Sequence, residues 1–168
     1  MKTFGFRGEA LFAISIAAHL AIVSKTSESP CGYKMEYSNG KAMENNPKPL
    51  AANVGTIITM ENLFCNMSLR KNSLKSASEE YNLIVDLITK YAIHFSNFVS
   101  FTLSKEKENS AEIYTSIESQ TLDNIKLLCG KEVSNELKAI AVTSSKNIFQ
   151  MTGLISNVSY LAKKFAFI

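Results

Sequence analysis

The chain has 168 residues, of which 46% are hydrophobic and 20% are charged, so it can bury a sizeable core and its composition excludes a disordered or low-complexity protein. The net charge of +3 is spread over many lysines and neither requires nor excludes contact with nucleic acid. Its three cysteines lie far apart with only two histidines to join them, which argues against a disulfide framework or a zinc site.

An apolar run over residues 10–23 superficially resembles a secretory leader. At 14 residues it is too short to span a bilayer, and Arg7 and Glu9 directly precede it. Apolar residues recur at helical spacing in its first part, which predicts a helix over residues 8–18 followed by a short strand at 20–23. We therefore expect no membrane segment here.

The next stretch has the pattern of short strands joined by turns. Residues 31–37 are predicted to form a strand that ends at Asn39-Gly40, a dipeptide that tolerates the positive φ angles of a tight hairpin turn. Two prolines predict a loop over residues 45–49. Gly55 then begins a β-rich stretch that we expect to form another strand.

The clearest helix pattern follows Ser76. Ser76 and Glu79 have the spacing of a capping box, in which the two side chains satisfy free amides at a helix start. Apolar residues then recur every three or four positions, at Tyr81, Ile84, Val85, Ile88, Tyr91, Ala92 and Phe95. We expect this helix to lay one face on a sheet.

The last third of the chain predicts more strands and one short helix. Thr121 is expected to cap that helix and Gly130 to stop it. Strands are predicted at residues 99–103, 113–117, 138–143 and 147–156. The order of elements indicates an α+β fold with helices on one face of a sheet, and we place a domain boundary around residues 118–121.

The residues most suggestive of chemistry are Gly5-Phe6-Arg7-Gly8-Glu9-Ala10-Leu11, where two glycines and a cation precede a helix. Glycines let the backbone approach an anion, and the first turn of a helix presents unpaired amides with a positive dipole end. This pattern favours a phosphate cradle. Two glycines before a helix also form ordinary turns, and Glu9 has the alternative role of complementing the helix dipole.

The same seven residues, GFRGEAL, resemble a signature of the MutL family of DNA mismatch repair proteins. That family has the Bergerat-type (GHKL) ATP-binding fold shared with gyrase, heat-shock protein 90 and histidine kinases. The resemblance implies that Gly5, Phe6, Arg7, Gly8, Glu9, Ala10 and Leu11 hold the phosphates of ATP.

Two later segments extend the resemblance. Gly55-Thr56 resembles the glycine-threonine motif of the family, which implies that both residues contribute to nucleotide binding. Residues 63–66, LFCN, followed by Arg70 and Lys71, resemble the LFYN stretch of the family with its trailing basic residues. This implies that Arg70 and Lys71 contact DNA; their alternative role is a solvated surface. The sequence departs from the pattern at Cys65, Ser68 and Asn72.

The resemblance covers essentially the whole chain and is strongest to the eukaryotic MutL homologue 1 branch. It is carried further by YSNGK at residues 37–41, SEEY at 78–81, TLDNI at 121–125 and ISN at 155–157. It implies a partial GHKL ATPase sandwich, with residues 1–118 forming the C-terminal part of the ATP-binding domain. Residues 119–168 then correspond to the beginning of the transducer domain.

By this resemblance the parent protein is an ATPase that couples ATP binding and hydrolysis to dimer closure on DNA. ATP and Mg²⁺ are its implied cofactors, and its implied partners are a second MutL paralogue, a MutS-type mismatch recognition complex and DNA, in the nucleus. The glutamate base, the metal-binding asparagine and the DxGxG motif of the family have no counterpart here. We assign no catalytic and no metal-binding residue, and expect the chain alone to be inactive and to bind nucleotide poorly.

An alternative from another functional class stays open. A chain without catalysis can act as a binding module for DNA or for a repair partner. Four basic residues, Arg70, Lys71, Lys163 and Lys164, motivate this hypothesis.

Overall fold

The computed structural model describes Gly5, residues 7–145 and residues 148–160. The chain divides into two compact units between Leu74 and Lys75. The first unit contains α1 (Ala10–Ala17), β1 (His19–Lys25), β2 (Gly32–Ser38), β3 (Lys41–Ala42), β4 (Lys48–Leu50), β5 (Gly55–Glu61) and α2 (Ser68–Ser73). The predicted helix over residues 8–18 is thus confirmed, two residues shorter at its start and one at its end.

The strands of the first unit form one antiparallel sheet in the order β3-β2-β1-β5, with β4 also paired to β2. Leu20 on the central strand lies opposite Tyr37 on one side and Met60 on the other, so apolar residues share one sheet face. Leu20 and Ala18 are buried there, and α1 contacts β1 and β2. The core of this unit therefore lies at the junction of α1 with the sheet.

Two turn predictions in this unit have different outcomes. Asn39 and Gly40 have φ angles of 51° and 73° and join paired Ser38 and Lys41, as the dipeptide predicts. The loop predicted for residues 45–49 is wrong at its end, because Pro49 lies within β4 and pairs with β2. Proline is tolerated at this position because β4 lies at the edge of the sheet.

The second unit contains α3 (Ala77–His94), β6 (Thr102–Leu103), β7 (Ile113–Tyr114), α4 (Thr121–Cys129), α5 (Lys131–Asn135), β8 (Leu137–Thr143) and β9 (Gln150–Ser156). The strands form two antiparallel hairpins, β6-β7 and β8-β9. Its buried residues lie in or directly after α3, in or directly after β7, and in α4: Ala92, Ile93, Ser96, Ile113, Thr115, Asn124 and Ile125. Sequence patterns did not predict α2 or α5.

The helix caps of the second unit test two predictions. The capping box is confirmed, since Ser76 Oγ accepts a hydrogen bond from the Glu79 amide and Glu79 accepts one from the Ser76 amide. The cap predicted at Thr121 is wrong by one residue. Gln120 is the N-cap of α4, and the Thr121 hydroxyl shares a 2.6 Å hydrogen bond with the Ser96 hydroxyl at the end of α3.

Helices and antiparallel strands alternate in both units, which confirms the α+β class. The boundary expected around residues 118–121 refers to the two domains implied by the family resemblance, not to the two compact units of the structure. It stays a prediction. The start of the predicted strand at residue 147 lies outside the described residues. No helix in the described part of the chain is long and apolar enough to cross a membrane.

Candidate functional site

The glycine loop before α1 is open to solvent. Gly5, Arg7, Gly8 and Glu9 are all exposed, while Phe6 lies outside the described residues. Gly8 has a φ of +69°, and a Cβ added there would meet nothing within 4 Å. Arg7 Nε lies 3.8 Å from Glu9 Oε1, so the two side chains form an exposed ion pair. The backbone of this loop is therefore accessible to a ligand.

The first turn of α1 supplies free hydrogen-bond donors beside that loop. The first helical bond runs from the Ala13 amide to the Glu9 carbonyl, and the amides of Ala10, Leu11 and Phe12 have no backbone acceptor among the described residues. The N-cap residue Glu9 makes no side-chain capping bond. The positive end of the helix dipole thus lies at an exposed helix start whose amides have no acceptor among the described residues, an arrangement that suits a phosphate group.

The opposite end of α1 contacts segments that are distant in sequence. The Gly40 amide donates to the Ser15 carbonyl at 3.0 Å, and the Phe64 amide donates to the Ala17 carbonyl at 2.7 Å. The Asn66 Nδ2 donates to the Ile16 carbonyl at 2.7 Å. The LFCN segment and the Asn39-Gly40 turn therefore cap the helix that carries the glycine loop. Sequence reasoning assigned no such role to Asn66, and its match to the LFYN stretch was the only available signal.

The glycine-threonine motif lies at the start of β5. Gly55 has a φ of +134° and pairs with Lys25, and the Thr56 and Ser24 hydroxyls share a 3.0 Å hydrogen bond. Both residues are exposed. No hydrogen bond joins the described residues of the glycine loop to Gly55 or Thr56. The structure thus places both motifs in the first unit, with no hydrogen bond between their described residues.

The two predicted DNA-contacting residues lie in the last turn of α2. Both are exposed, and the guanidinium carbon of Arg70 lies 5.8 Å from the centroid of the Phe64 ring, within the range of a cation–π contact. Lys71 presents its ammonium group to solvent. Lys163 and Lys164 lie outside the described residues.

A magnesium site is not assembled from the side chains that the structure describes. Among these residues, no three histidine, cysteine, aspartate or glutamate side chains lie close enough together to hold a metal ion. Glu9 is instead paired with Arg7. The described residues therefore fit the phosphate part of a nucleotide and do not by themselves assemble a set of ligands for its metal.

Curated relatives of the chain are DNA mismatch repair proteins. Mlh1 of Dictyostelium discoideum is 38% identical over 200 aligned residues that cover 100% of the chain, and MLH1 of Saccharomyces cerevisiae is 32% identical over 98% of it. The MutL protein of Halothermothrix orenii is 32% identical over 95% of the chain. The chain spans only 22% and 21% of the length of the first two relatives. No protein-family model matches it.

Solved structures show the same fold. The N-terminal domain of a DNA repair protein superposes with a TM-score of 0.76 at 25% identity and covers 95% of this chain, which in turn covers 51% of that domain. The MutL ATPase domain of Aquifex aeolicus, solved with ADP, superposes with a TM-score of 0.68 at 22% identity over 80% of this chain, which covers 52% of that domain. The expected GHKL-type ATPase fold is confirmed. The chain belongs to the MutL family of DNA mismatch repair proteins.

Proposed function

We propose that the chain supplies the phosphate-binding part of the ATP site in a MutL-type mismatch repair ATPase. The observation that carries this proposal is the exposed glycine loop that leads into the first turn of α1, whose amides have no acceptor among the described residues. A relative with this fold was solved with ADP, which supports nucleotide as the ligand. In this role the loop holds phosphate oxygens through its backbone, and Arg7 adds positive charge or orients the loop.

We propose the following wider role for a MutL-type protein that contains this chain. ATP binding and hydrolysis with Mg²⁺ drive dimer closure on DNA, together with a second MutL paralogue and a MutS-type complex, in the nucleus. Gly55 and Thr56 form a second motif that contributes to nucleotide binding. Residues 1–118 belong to the ATP-binding domain and residues 119–168 to the beginning of the transducer domain. Arg70 and Lys71 contact DNA phosphates from α2.

We further propose that these 168 residues do not hydrolyse ATP by themselves. Hydrolysis needs a base held within hydrogen-bond reach of the attacking water. Glu9, the carboxylate of the loop itself, is exposed and contacts only Arg7 among the described ionic groups. The loop therefore binds phosphate without a catalytic group of its own.

Calorimetric titration of the chain with Mg²⁺ and ATP tests this proposal. We expect weak saturable binding that Gly8→Ala abolishes, because a side chain at a φ of +69° strains the loop. Gly153→Ala is the matched control, since Gly153 lies in β9 with open space around it and no positive φ. The proposal is contradicted if Gly8→Ala binds ATP as well as the unmodified chain does. It is also contradicted if the unmodified chain hydrolyses ATP faster than the Gly8→Ala variant.

The exposed basic turn of α2 favours a second candidate, a DNA-binding module without catalysis. Arg70 and Lys71 lie next to each other and both are exposed. Binding through phosphate contacts weakens steeply as salt rises. We expect the chain to bind duplex DNA at low salt, the double variant Arg70→Ala, Lys71→Ala to lose this binding, and Lys25→Ala to keep it. No binding at low salt excludes the DNA-binding module.

A further inference from the structure

The C-terminal end of α1 is fixed by two segments that lie far from it in sequence. The last carbonyls of a helix have no helical partner. Those of Ser15, Ile16 and Ala17 accept hydrogen bonds from the Gly40 amide, the Asn66 side chain and the Phe64 amide. Successive helical residues point about 100° apart around the axis, so three consecutive caps restrain both rotation and tilt of the helix.

Asn66 is the only side chain among these three donors, and it connects the LFCN segment both to α1 and to the Asn39-Gly40 turn. Its Nδ2 lies 2.7 Å from the Ile16 carbonyl and 2.8 Å from Asn39 Oδ1. The Ile16 carbonyl can only accept, so the amide nitrogen of Asn66 must face it. One NH₂ group thereby ties α1 to the hairpin turn between β2 and β3.

The backbone around Asn66 is held in an uncommon conformation. Phe64 has a φ of +60° and Asn62 a φ of +55°, a region that bulky side chains rarely adopt. This conformation directs the Phe64 amide at the Ala17 carbonyl. Gly40 approaches α1 so closely that a Cβ there would lie 3.1 Å from Ile16 Cγ1. Both segments are thus shaped to meet this helix end.

We propose that Asn66 is a positioning residue for the glycine loop at the other end of α1. The helix has eight residues and is about 12 Å long, so a tilt of about 10° at the capped end moves the loop by about 2 Å. Displacements of about 1 Å are enough to weaken a preorganised binding site. This inference rests on the proposed phosphate-binding role of the loop.

The order of effects among Asn66 variants follows from the chemistry of the cap. Asn66→Asp keeps the shape but replaces both donors by a carboxylate oxygen, which repels the Ile16 carbonyl. Asn66→Ala leaves the Ile16 carbonyl to water, which reaches it because Asn66 is exposed. The aspartate variant should therefore disturb α1 more than the alanine variant.

The test combines amide nuclear magnetic resonance of the unliganded chain with titration by inorganic tripolyphosphate. In Asn66→Asp we expect the Gly5 and Gly8 amide signals to shift, and tripolyphosphate affinity to fall about tenfold, the scale of losing one charge-sensitive hydrogen bond. Asn66→Ala should show the same changes at about a third of that size. Asn46→Asp introduces the same charge at another exposed position of the first unit and should change neither.

The readouts separate the two proposals. The positioning role is overturned if a folded Asn66→Asp variant gives the same Gly5 and Gly8 amide signals as Asn46→Asp, whatever its affinity for tripolyphosphate. If the unmodified chain does not bind tripolyphosphate, the proposed function fails, and the Gly5 and Gly8 signals still decide the positioning role. If Asn66→Asp does not fold, Asn66→Ala decides it through the same two signals.

Discussion

Two helices of this chain end in the same way but in different surroundings. In the first unit, Asn66 donates from its side chain to the Ile16 carbonyl at the end of α1. In the second unit, Asn124 donates at 2.9 Å to the Ala92 carbonyl near the end of α3. Asn66 is exposed, whereas Asn124 is completely buried. Chemically identical caps therefore differ in whether water can replace them.

This difference separates an adjustable helix end from a fixed one. Water can satisfy the Ile16 carbonyl when Asn66 moves, so the cap on α1 sets an orientation at small cost in stability. The Asn124 side chain has no exposed surface, and Ile93 and Ile125 beside this helix junction are buried as well. The end of α3 and the start of α4 are therefore held as one piece, with the Ser96–Thr121 hydrogen bond beside them.

The largest expected effect comes from the buried cap. Asn124→Ala leaves the Ala92 carbonyl without a donor and opens a cavity, which together cost about 3 kcal/mol of unfolding free energy. Asn66→Ala should cost less than about 1 kcal/mol. Urea unfolding of both variants measures the difference, and equal losses would contradict the comparison.

The contact between the hairpin turn and α1 gives the next effect. Gly40→Ala places a Cβ 3.1 Å from Ile16 and 3.3 Å from Phe12 at a φ of +73°. We expect a loss of about 2 kcal/mol, combining left-handed strain with overpacking. Gly8→Ala has nearly the same φ but open space, so it should lose only the strain, about 1 kcal/mol. Equal thermal shifts of the two variants would argue against a tight approach of the turn to α1.

At the start of α3, the capping box predicts a smaller loss. Ser76→Ala removes the acceptor for the Glu79 amide and should cost about 1 kcal/mol of unfolding free energy. Ser78 lies two residues further on and makes no side-chain hydrogen bond among the described residues, so Ser78→Ala serves as the control. Equal unfolding free energies of the two variants in chemical denaturation would mean that the capping box does not stabilise α3.

The smallest effect depends on pH. Hydrogen bonds from the Ser76 hydroxyl and then from the Ser76 amide hold the pKa of Glu79 below its ordinary value of 4.5. A lowered folded-state pKa gives stability that is present above the unfolded pKa and is lost as pH falls through the folded pKa. Glu79→Gln should therefore flatten the decline in melting temperature below about pH 4.5. An unchanged acid profile would contradict the assignment.

Local signals in the sequence predicted the local parts of the structure. The Asn39-Gly40 turn and the Ser76–Glu79 box depend on residues close in sequence, and both are confirmed. The caps on α1 could not be predicted this way, since Asn66 lies 50 residues from Ile16 and its partner depends on tertiary packing. Edge strand β4 was missed for a similar reason, because only its place in the sheet makes Pro49 acceptable.

The candidate site was predictable only in part. The glycine loop was identified from its residues and from its resemblance to a family, and the structure adds its exposure, the free amides of α1 and the caps behind it. The role of the glycine-threonine motif stays a prediction. Nothing in the sequence pattern indicated that the LFCN segment would contact the helix that follows the glycine loop.

Phosphate binding by the glycine loop can be measured by titrating the isotopically labelled chain with Mg²⁺ and ATP and following the amide signals of Gly5 and Gly8. We expect these signals, together with those of Ala10, Leu11 and Phe12, to shift first and to saturate together. Shifts confined to α2 or to the second unit, with the loop unchanged at saturating ATP, would contradict a phosphate-binding role for the loop.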